Sequence, residues 1–320
     1  MKNLRYICCQ PAIPYYTWQV EVMIHNFIEM GVNPNNMDIV CYAEEGVIPE
    51  QWTKLAERYN YVRFFFYSDT RRNKGYTSSI RPNILKQHWR SRPEIHNDVI
   101  FYHDCDIVFT KFPDFLPRLI QNDVNWYVSD TISYIGSEYI ISKGEDVMDK
   151  MCEIVGINKE LVKRKEYQSG GAQYVMKGCD WQFFNKMEID SEMLFKEITN
   201  LNIEKKRLDP THHELQIWCA DMWALLWGAW MRGYHTNVIP ELSFCWATDN
   251  IENWEKKYIF HNAGVTSDAK HLFNKTDYRD SLPYELNNTF DKNSASSKYF
   301  EIIKSVGINS CLYISKNEIK

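Results

Sequence analysis

A chain of 320 residues, 44% hydrophobic and 25% charged, has the composition of an ordinary globular protein, with apolar material for one large α/β domain or two modest ones. Its net charge of −5, from 37 basic and 42 acidic residues, argues against a protein-wide attraction to nucleic acid, although a local basic groove stays open. No run of 18 apolar residues occurs, so no membrane-spanning helix is expected.

Leu4 to Cys9 reads as a short apolar strand that enters a loop, Gln10 to Tyr15, with two prolines. Trp18 to Met30 has helical periodicity through Val20, Ile24, Phe27 and Ile28 and stops at Gly31. Met37 to Tyr42 predicts a second strand, Pro49 to Tyr59 a second helix, and Tyr61 to Tyr67 a third, aromatic strand. Strands and helices alternating at this pace indicate βαβ units and a mainly parallel sheet. Ligands of such sheets sit beyond the carboxyl ends of the strands.

The segment Ser68 to Ser79 is polar and basic, with Arg71, Arg72, Lys74 and Gly75; it reads either as a solvated loop or as a mobile loop near an anion. A helix follows from Ser79 or Ile80 to about Arg90. Arg81 stands at its entrance, either as a plain surface residue or one turn from where a phosphate docks favourably. Then comes Phe101 to Phe109, FYHDCDIVF. Here a buried apolar run ends in Asp104-Cys105-Asp106, and apolar residues then resume. Charges in such a place must be paired or bind a metal. Two hard oxygen ligands at this spacing suit Mg²⁺ or Mn²⁺ carrying a diphosphate.

Beyond that motif, Pro113 to Gln121 reads as a short helix, Val124 to Ser129 as a strand, Asp146 to Val155 as a helix and Lys159 to Lys165 as a charged surface segment. Gly170-Gly171 in QSGGAQY is either a plain turn or a close backbone approach to a ligand, with Gln173 suited to sugar hydroxyls. Thr211-His212-His213-Glu214 has the form of a capping box, which predicts a helix from Thr211 to Gly233. Its core, IWCADMWALLWGAW, carries one charge, Asp221; on that helix Glu214, Trp218 and Asp221 share a face. Asp221 is either a buried carboxylate satisfied by loop N–H groups or a general base. Lys257 to Phe260 predicts a strand ending in His261-Asn262-Ala263-Gly264, with Lys270 beyond; the imidazole suits a metal shell and the lysine a diphosphate. Asn287 to Ser297 reads as a linker and Tyr299 to Ile314 as an appendage. Nine cysteines, with no CxxC pair and no signal-like N-terminus, point to reduced thiols and a cytoplasmic location.

Taken together, these segments resemble a metal-dependent glycosyltransferase of the GT-A fold. The resemblance covers roughly residues 1–275 and rests on Asp104-Cys105-Asp106 followed by His261-x-x-Gly264 and a lysine. The Ala220-Asp221-Met222-Trp223 stretch is also loosely similar to the acidic helix of hydroxyproline arabinosyltransferase-like proteins. The resemblance implies a Rossmann-type mixed sheet flanked by helices. A nucleotide-binding half would span about 1–110 and an acceptor half about 111–275, with 276–320 as linker and C-terminal appendage.

It further implies a nucleotide-sugar donor, a UDP-sugar first, with its base near Leu4 to Tyr15 and its ribose near Asp104. Asp104, Asp106 and His261 would hold Mn²⁺ or Mg²⁺. Arg81 and Lys270 would meet the diphosphate, Gly170, Gly171 and Gln173 would line the sugar or acceptor pocket, and Asp221 would be the base. The acceptor would be a glycan, a small molecule or a protein. Two alternatives stay open: a viral-type transferase acting on a hydroxymethylated DNA base, and a non-catalytic nucleotide-sugar-binding protein.

Overall fold

The computed structural model describes residues 3–121, 124–285, 289–310 and 312. The expected linker at 287–288, Cys311 and the end of the C-terminal segment at 313–314 lie outside these residues. Ten strands occur among the described residues: β1 (Leu4–Pro11), β2 (Met37–Tyr42), β3 (Arg63–Tyr67), β4 (Val99–Tyr102), β5 (Ile107–Phe109), β6 (Asn125–Asp130), β7 (Gly170–Met176), β8 (His235–Val238), β9 (Phe244–Trp246) and β10 (Ile259–His261). The α-helices are α1 (Pro14–Glu29), α2 (Glu50–Arg58), α3 (Ile80–Ser91), α4 (Ile132–Ile135), α5 (Ser137–Ile141), α6 (Glu145–Val155), α7 (Lys159–Arg164), α8 (Trp181–Leu208), α9 (Ala220–Met231), α10 (Ile251–Lys256) and α11 (Ala295–Ile308). This mixed α/β order is the one the alternating pattern predicts. None of the described helices is long and apolar enough to cross a membrane.

The chain forms two compact units. Among the described residues, one comprises 3–4, 69–102, 119–121 and 124–240; the other comprises 5–68, 103–118, 241–285, 289–310 and 312. In the second unit β3-β2-β1 are parallel, with Tyr6 opposite Met37 and Asp38 opposite Arg63. That register explains the fully buried Asp38, which accepts from Arg5 at 3.2 Å and from Arg63 at 2.6 Å. A carboxylate so deep needs such partners. Helix α1 buries Trp18, Val22 and Phe27, and its Asn26 side chain bonds both the N–H and the C=O of Phe109, at 2.7 and 3.0 Å. An amide thereby takes the place of a neighbouring strand along β5.

A small sheet, β5-β10-β9, completes this unit, with β10 antiparallel to β5 and parallel to β9. Residues 276–320, expected to stand apart as linker and appendage, contribute α11 to the same unit. The fully buried Tyr299 stacks on Phe260 with ring centroids 4.9 Å apart, and Ser296 Oγ accepts from the Phe273 N–H at 2.8 Å.

In the first unit β4-β7-β6-β8 form a mixed run, antiparallel except for β6 and β8. The long helix α8 packs against α3 and α9. Gly170 and Gly171, expected at a turn or an open pocket, lie inside β7 and are buried. A Cβ on Gly170 would stand 2.3 Å from Val128 Cγ2 and 2.5 Å from the Ser129 carbonyl, where the β6–β7 register shifts. Gly170 therefore lets β6 and β7 approach. Gly170→Ala should cost about 2 kcal/mol through overpacking; urea unfolding checks this, and an unchanged midpoint would contradict it.

The capping box also gives way. The N–H and hydroxyl of Thr211 bond the Asp209 carboxylate at 2.9 and 2.6 Å, a local turn that competes with helix initiation. The helix begins at Ala220 after a 3₁₀ turn, Ile217–Cys219. Glu214 is thus off the helix and exposed, and it shares no helical face with Asp221.

Candidate active site

Asp104, Cys105 and Asp106 form the turn between β4 and β5 and belong to the second unit. The register of β10 against β5 sets His261 opposite Ile107, one residue past Asp106, and the Asn262 N–H donates to the Asp106 carbonyl at 3.0 Å. Two segments far apart in sequence are thereby fixed together by main-chain bonds. His261 Nε2 lies 3.4 Å from Asp106 Oδ1 and 3.6 Å from Asp104 Oδ2. Among the described residues this is the group that can hold a metal ion, with one ligand atom from each side chain and all three within 4.8 Å of one another. Two carboxylates and an imidazole fit Mn²⁺ or Mg²⁺ by donor type. Phe244 edge-on and Trp246 face-on flank the His261 ring, at 5.0 and 6.3 Å between centroids.

The lysine at this site is Lys275. Its Nζ pairs with Asp106 Oδ2, whereas Lys270 is exposed and borders a cavity with Thr266 and Asn274. Burial alone would raise the Asp106 carboxyl; Lys275 and then His261 outweigh it and hold that carboxyl well below the usual carboxylate range. Burial would likewise lower Lys275, but the Asp106 carboxylate keeps it raised and charged. Tyr15, at the end of the loop expected to receive the nucleotide base, lies within electrostatic reach of both. Burial pushes its phenol up, against the opposing pull of Lys275. The eight described cysteines are buried, Cys105 among them.

His103 has a separate role. Its ring is 2% exposed, its Nδ1 bonds the Asp104 carbonyl at 2.9 Å, and burial lowers its pKa to about 4. Its folded value is depressed below an unfolded value of about 6.5, so the unfolded chain binds the extra proton between those limits. The contribution is whole above about pH 6.5 and is lost as pH falls towards 4, by about 3 kcal/mol for a shift of this size. His103→Asn should flatten the pH dependence of unfolding in that window; a curve as steep as wild type would refute this.

Asp221 lies in the first unit and is 3% exposed. Arg81 Nη2 pairs with its Oδ2, and the Tyr76 hydroxyl lies 2.8 Å from its Oδ1 and 2.6 Å from the Trp218 carbonyl. The Asp221 N–H donates to the same hydroxyl at 3.3 Å. Burial raises the Tyr76 phenol and Asp221 raises it further, so Tyr76 stays a neutral donor. Arg81 is thus committed to Asp221. Gln173 is fully buried and accepts from Ser129 Oγ at 2.6 Å. Arg71, in the loop read from sequence as either solvated or mobile near an anion, is turned inward onto Asp69, the Tyr76 carbonyl and Ser79 Oγ. Its charge is met within its own loop by Asp69.

No protein-family model matches the chain, and no curated protein matches it. Solved structures do match. The WbbM bifunctional glycosyltransferase in apo form is similar with a TM-score of 0.50 at 10% identity, over 95% of this chain and 50% of WbbM. The fold is that of the GT-A glycosyltransferases. The chain spans half the length of WbbM. The galactosyltransferase LgtC with donor and acceptor sugar analogues follows at a TM-score of 0.43 and 11% identity, covering 94% of this chain and 95% of LgtC. The mannosyltransferase PcManGT from Pyrobaculum calidifontis with GDP-Man and Mn²⁺ gives 0.38 and 10%, covering 76% and 56%.

Two features of the candidate site are not legible in the sequence. Lys275 follows Gly264 at a distance that no short motif encloses. The partners of Asp221 come from a loop and a helix more than a hundred residues earlier, and Tyr76 carried no signal beyond being an aromatic residue in a polar loop.

Proposed function

We propose that the chain is a metal-dependent glycosyltransferase that moves a sugar from a nucleotide-sugar donor, a UDP-sugar in our reading, to an acceptor hydroxyl. The observation that carries this is the convergence of Asp104, Asp106 and His261, with Lys275 beside them, on a GT-A fold. Asp106 and His261 would hold the divalent ion and Asp104 would complete the shell or meet the ribose. The ion, when bound, offsets negative charge on the departing diphosphate. Lys275 has the position and charge to add a second cation to that leaving group, in place of Lys270. Tyr15 and the loop before it would receive the base.

On the acceptor side, Asp221 and Arg81 act as one unit. Both carboxylate oxygens are engaged, so Asp221 serves as a fixed acceptor that orients the incoming hydroxyl, with Arg81 and Tyr76 holding its geometry. Gly171 shapes this side through its contact with α9: a Cβ there would stand 2.6 Å from Met222 Cε.

The test is thermal stabilisation by a panel of nucleotide sugars with Mn²⁺, Mg²⁺ or chelator. A true donor raises Tm only with the ion, and by mass action at about 2.7 kcal/mol for a hundredfold excess over Kd. A panel that stabilises equally in chelator, or not at all, overturns the metal-dependent reading.

A further inference from the structure

We propose that Trp218 and Tyr134 form a stacking platform for a pyranose ring in the first unit, which makes the acceptor a carbohydrate. Its designation as the acceptor site rests on the glycosyl-transfer reading; the binding itself does not. Trp218 is 58% exposed, an unusual state for the largest apolar side chain. Its ring stacks with that of the half-buried Tyr134 at 6.3 Å between centroids and 23° between planes, so Tyr134 backs and steadies the exposed indole.

The loop that carries Trp218 is fixed. The Gln216 N–H donates to the Tyr139 hydroxyl at 3.2 Å, and the Trp218 carbonyl lies 2.6 Å from the Tyr76 hydroxyl. Tyr76 is in turn clamped by its stack on Phe195, with centroids 4.6 Å apart. An aromatic ring held outward by this much buried structure is preorganised for a partner.

The neighbouring polar groups choose the partner. The same Tyr76 hydroxyl that holds the Trp218 carbonyl also meets Asp221, three residues further on, and Asp221 is paired with Arg81, whose side chain is 27% exposed. The axial C–H face of a pyranose suits a flat aromatic surface, while its hydroxyls need paired donors and acceptors close by. A wholly apolar partner would desolvate the part-exposed Arg81–Asp221 pair with no polar group in place of the water it displaces. A nucleic acid would need net positive charge, and here Arg81 is already neutralised.

The experiment is saturation-transfer NMR on the full chain with millimolar methyl glycosides of glucose, galactose, mannose and N-acetylglucosamine. At least one should receive saturation on its ring C–H protons. Trp218→Ala should lower that signal at least tenfold, and Trp218→Phe should restore part of it. Trp218→Ala should leave the Tm rise with Mn²⁺ and nucleotide sugar unchanged, since the ring is exposed and outside the metal site. If no glycoside is saturated, or if Trp218→Ala retains the signal, the platform is overturned whatever the donor assay shows. If the glycoside signal is lost in Trp218→Ala while no nucleotide sugar stabilises the wild type, the platform stands and the transferase reading falls.

Discussion

Asp106→Asn is expected to lower sugar transfer by roughly 10³-fold, the scale of losing about 4 kcal/mol of charge stabilisation on a leaving group, and to abolish Mn²⁺-dependent stabilisation. Asp106 is 6% exposed and serves three partners at once: Lys275 on one oxygen, His261 on the other, and the Asn262 N–H on its carbonyl. Only the side-chain contacts change in the amide. The expected loss is therefore in function, while the β5–β10 ladder survives. Asp106→Ala should go further, because Lys275 is left with its charge and a reduced set of partners. Breaking such a pair costs about 3 kcal/mol. The double variant Asp106→Ala, Lys275→Met should recover that stability and none of the activity, since an apolar pair fills the space without an unmatched charge. Urea unfolding separates the two outcomes. An Asp106→Asn protein that still responds to Mn²⁺ would remove Asp106 from the metal shell.

Asp221→Asn should slow transfer by about 10²-fold while leaving donor-dependent stabilisation intact. The asparagine keeps an oxygen for the Tyr76 hydroxyl and surrenders the charge that holds Arg81. Arg81→Met is the more damaging change. It leaves a carboxylate that is 3% exposed with Tyr76 as its remaining side-chain partner among the described residues, a loss of about 3 kcal/mol in stability. Comparing the two variants separates a positioning role from a structural one: the first falls in kcat/KM for the acceptor, the second in unfolding midpoint. If Asp221→Asn transfers as fast as wild type, the pair is structural only.

Much of the scaffold is legible in the sequence because it is written locally. The strand Met37–Tyr42 and the helix that ends just before Gly31 follow from apolar period and stop signals over a dozen residues. The two aspartates stand out because a buried run has no other reason to hold them. His261 stands out because a strand ends there. What the sequence does not display are features set by tertiary contact. Helix α8 has an N-cap, Asp180, whose carboxylate accepts from the Phe183 N–H at 2.7 Å, yet the helix packs against α3, α6 and α9, which blurs its apolar period. The Thr211 box fails because Asp209 offers its hydroxyl a nearer partner. Lys275 is invisible as a site residue, since nothing but the path of the chain after β10 selects it over Lys270.

The antiparallel pairing of β10 with β5 has an evolutionary corollary. Everything that aligns the proposed metal ligands, namely the His261–Ile107 register, the Asn262 N–H on Asp106 and the Asn26 amide along β5, lies within the second unit. Residues 119–240, which carry Trp218, Arg81's partner Asp221 and the β7 glycines, enter the sequence as an insertion between those ligands. Such an arrangement lets the insertion drift, lengthen or be exchanged without realigning the triad. A single residue added inside β10 would instead turn the imidazole to the opposite face of its strand. On the proposed reading, acceptor preference and metal chemistry are separately heritable, and the first can diversify while the second stays under a one-residue constraint.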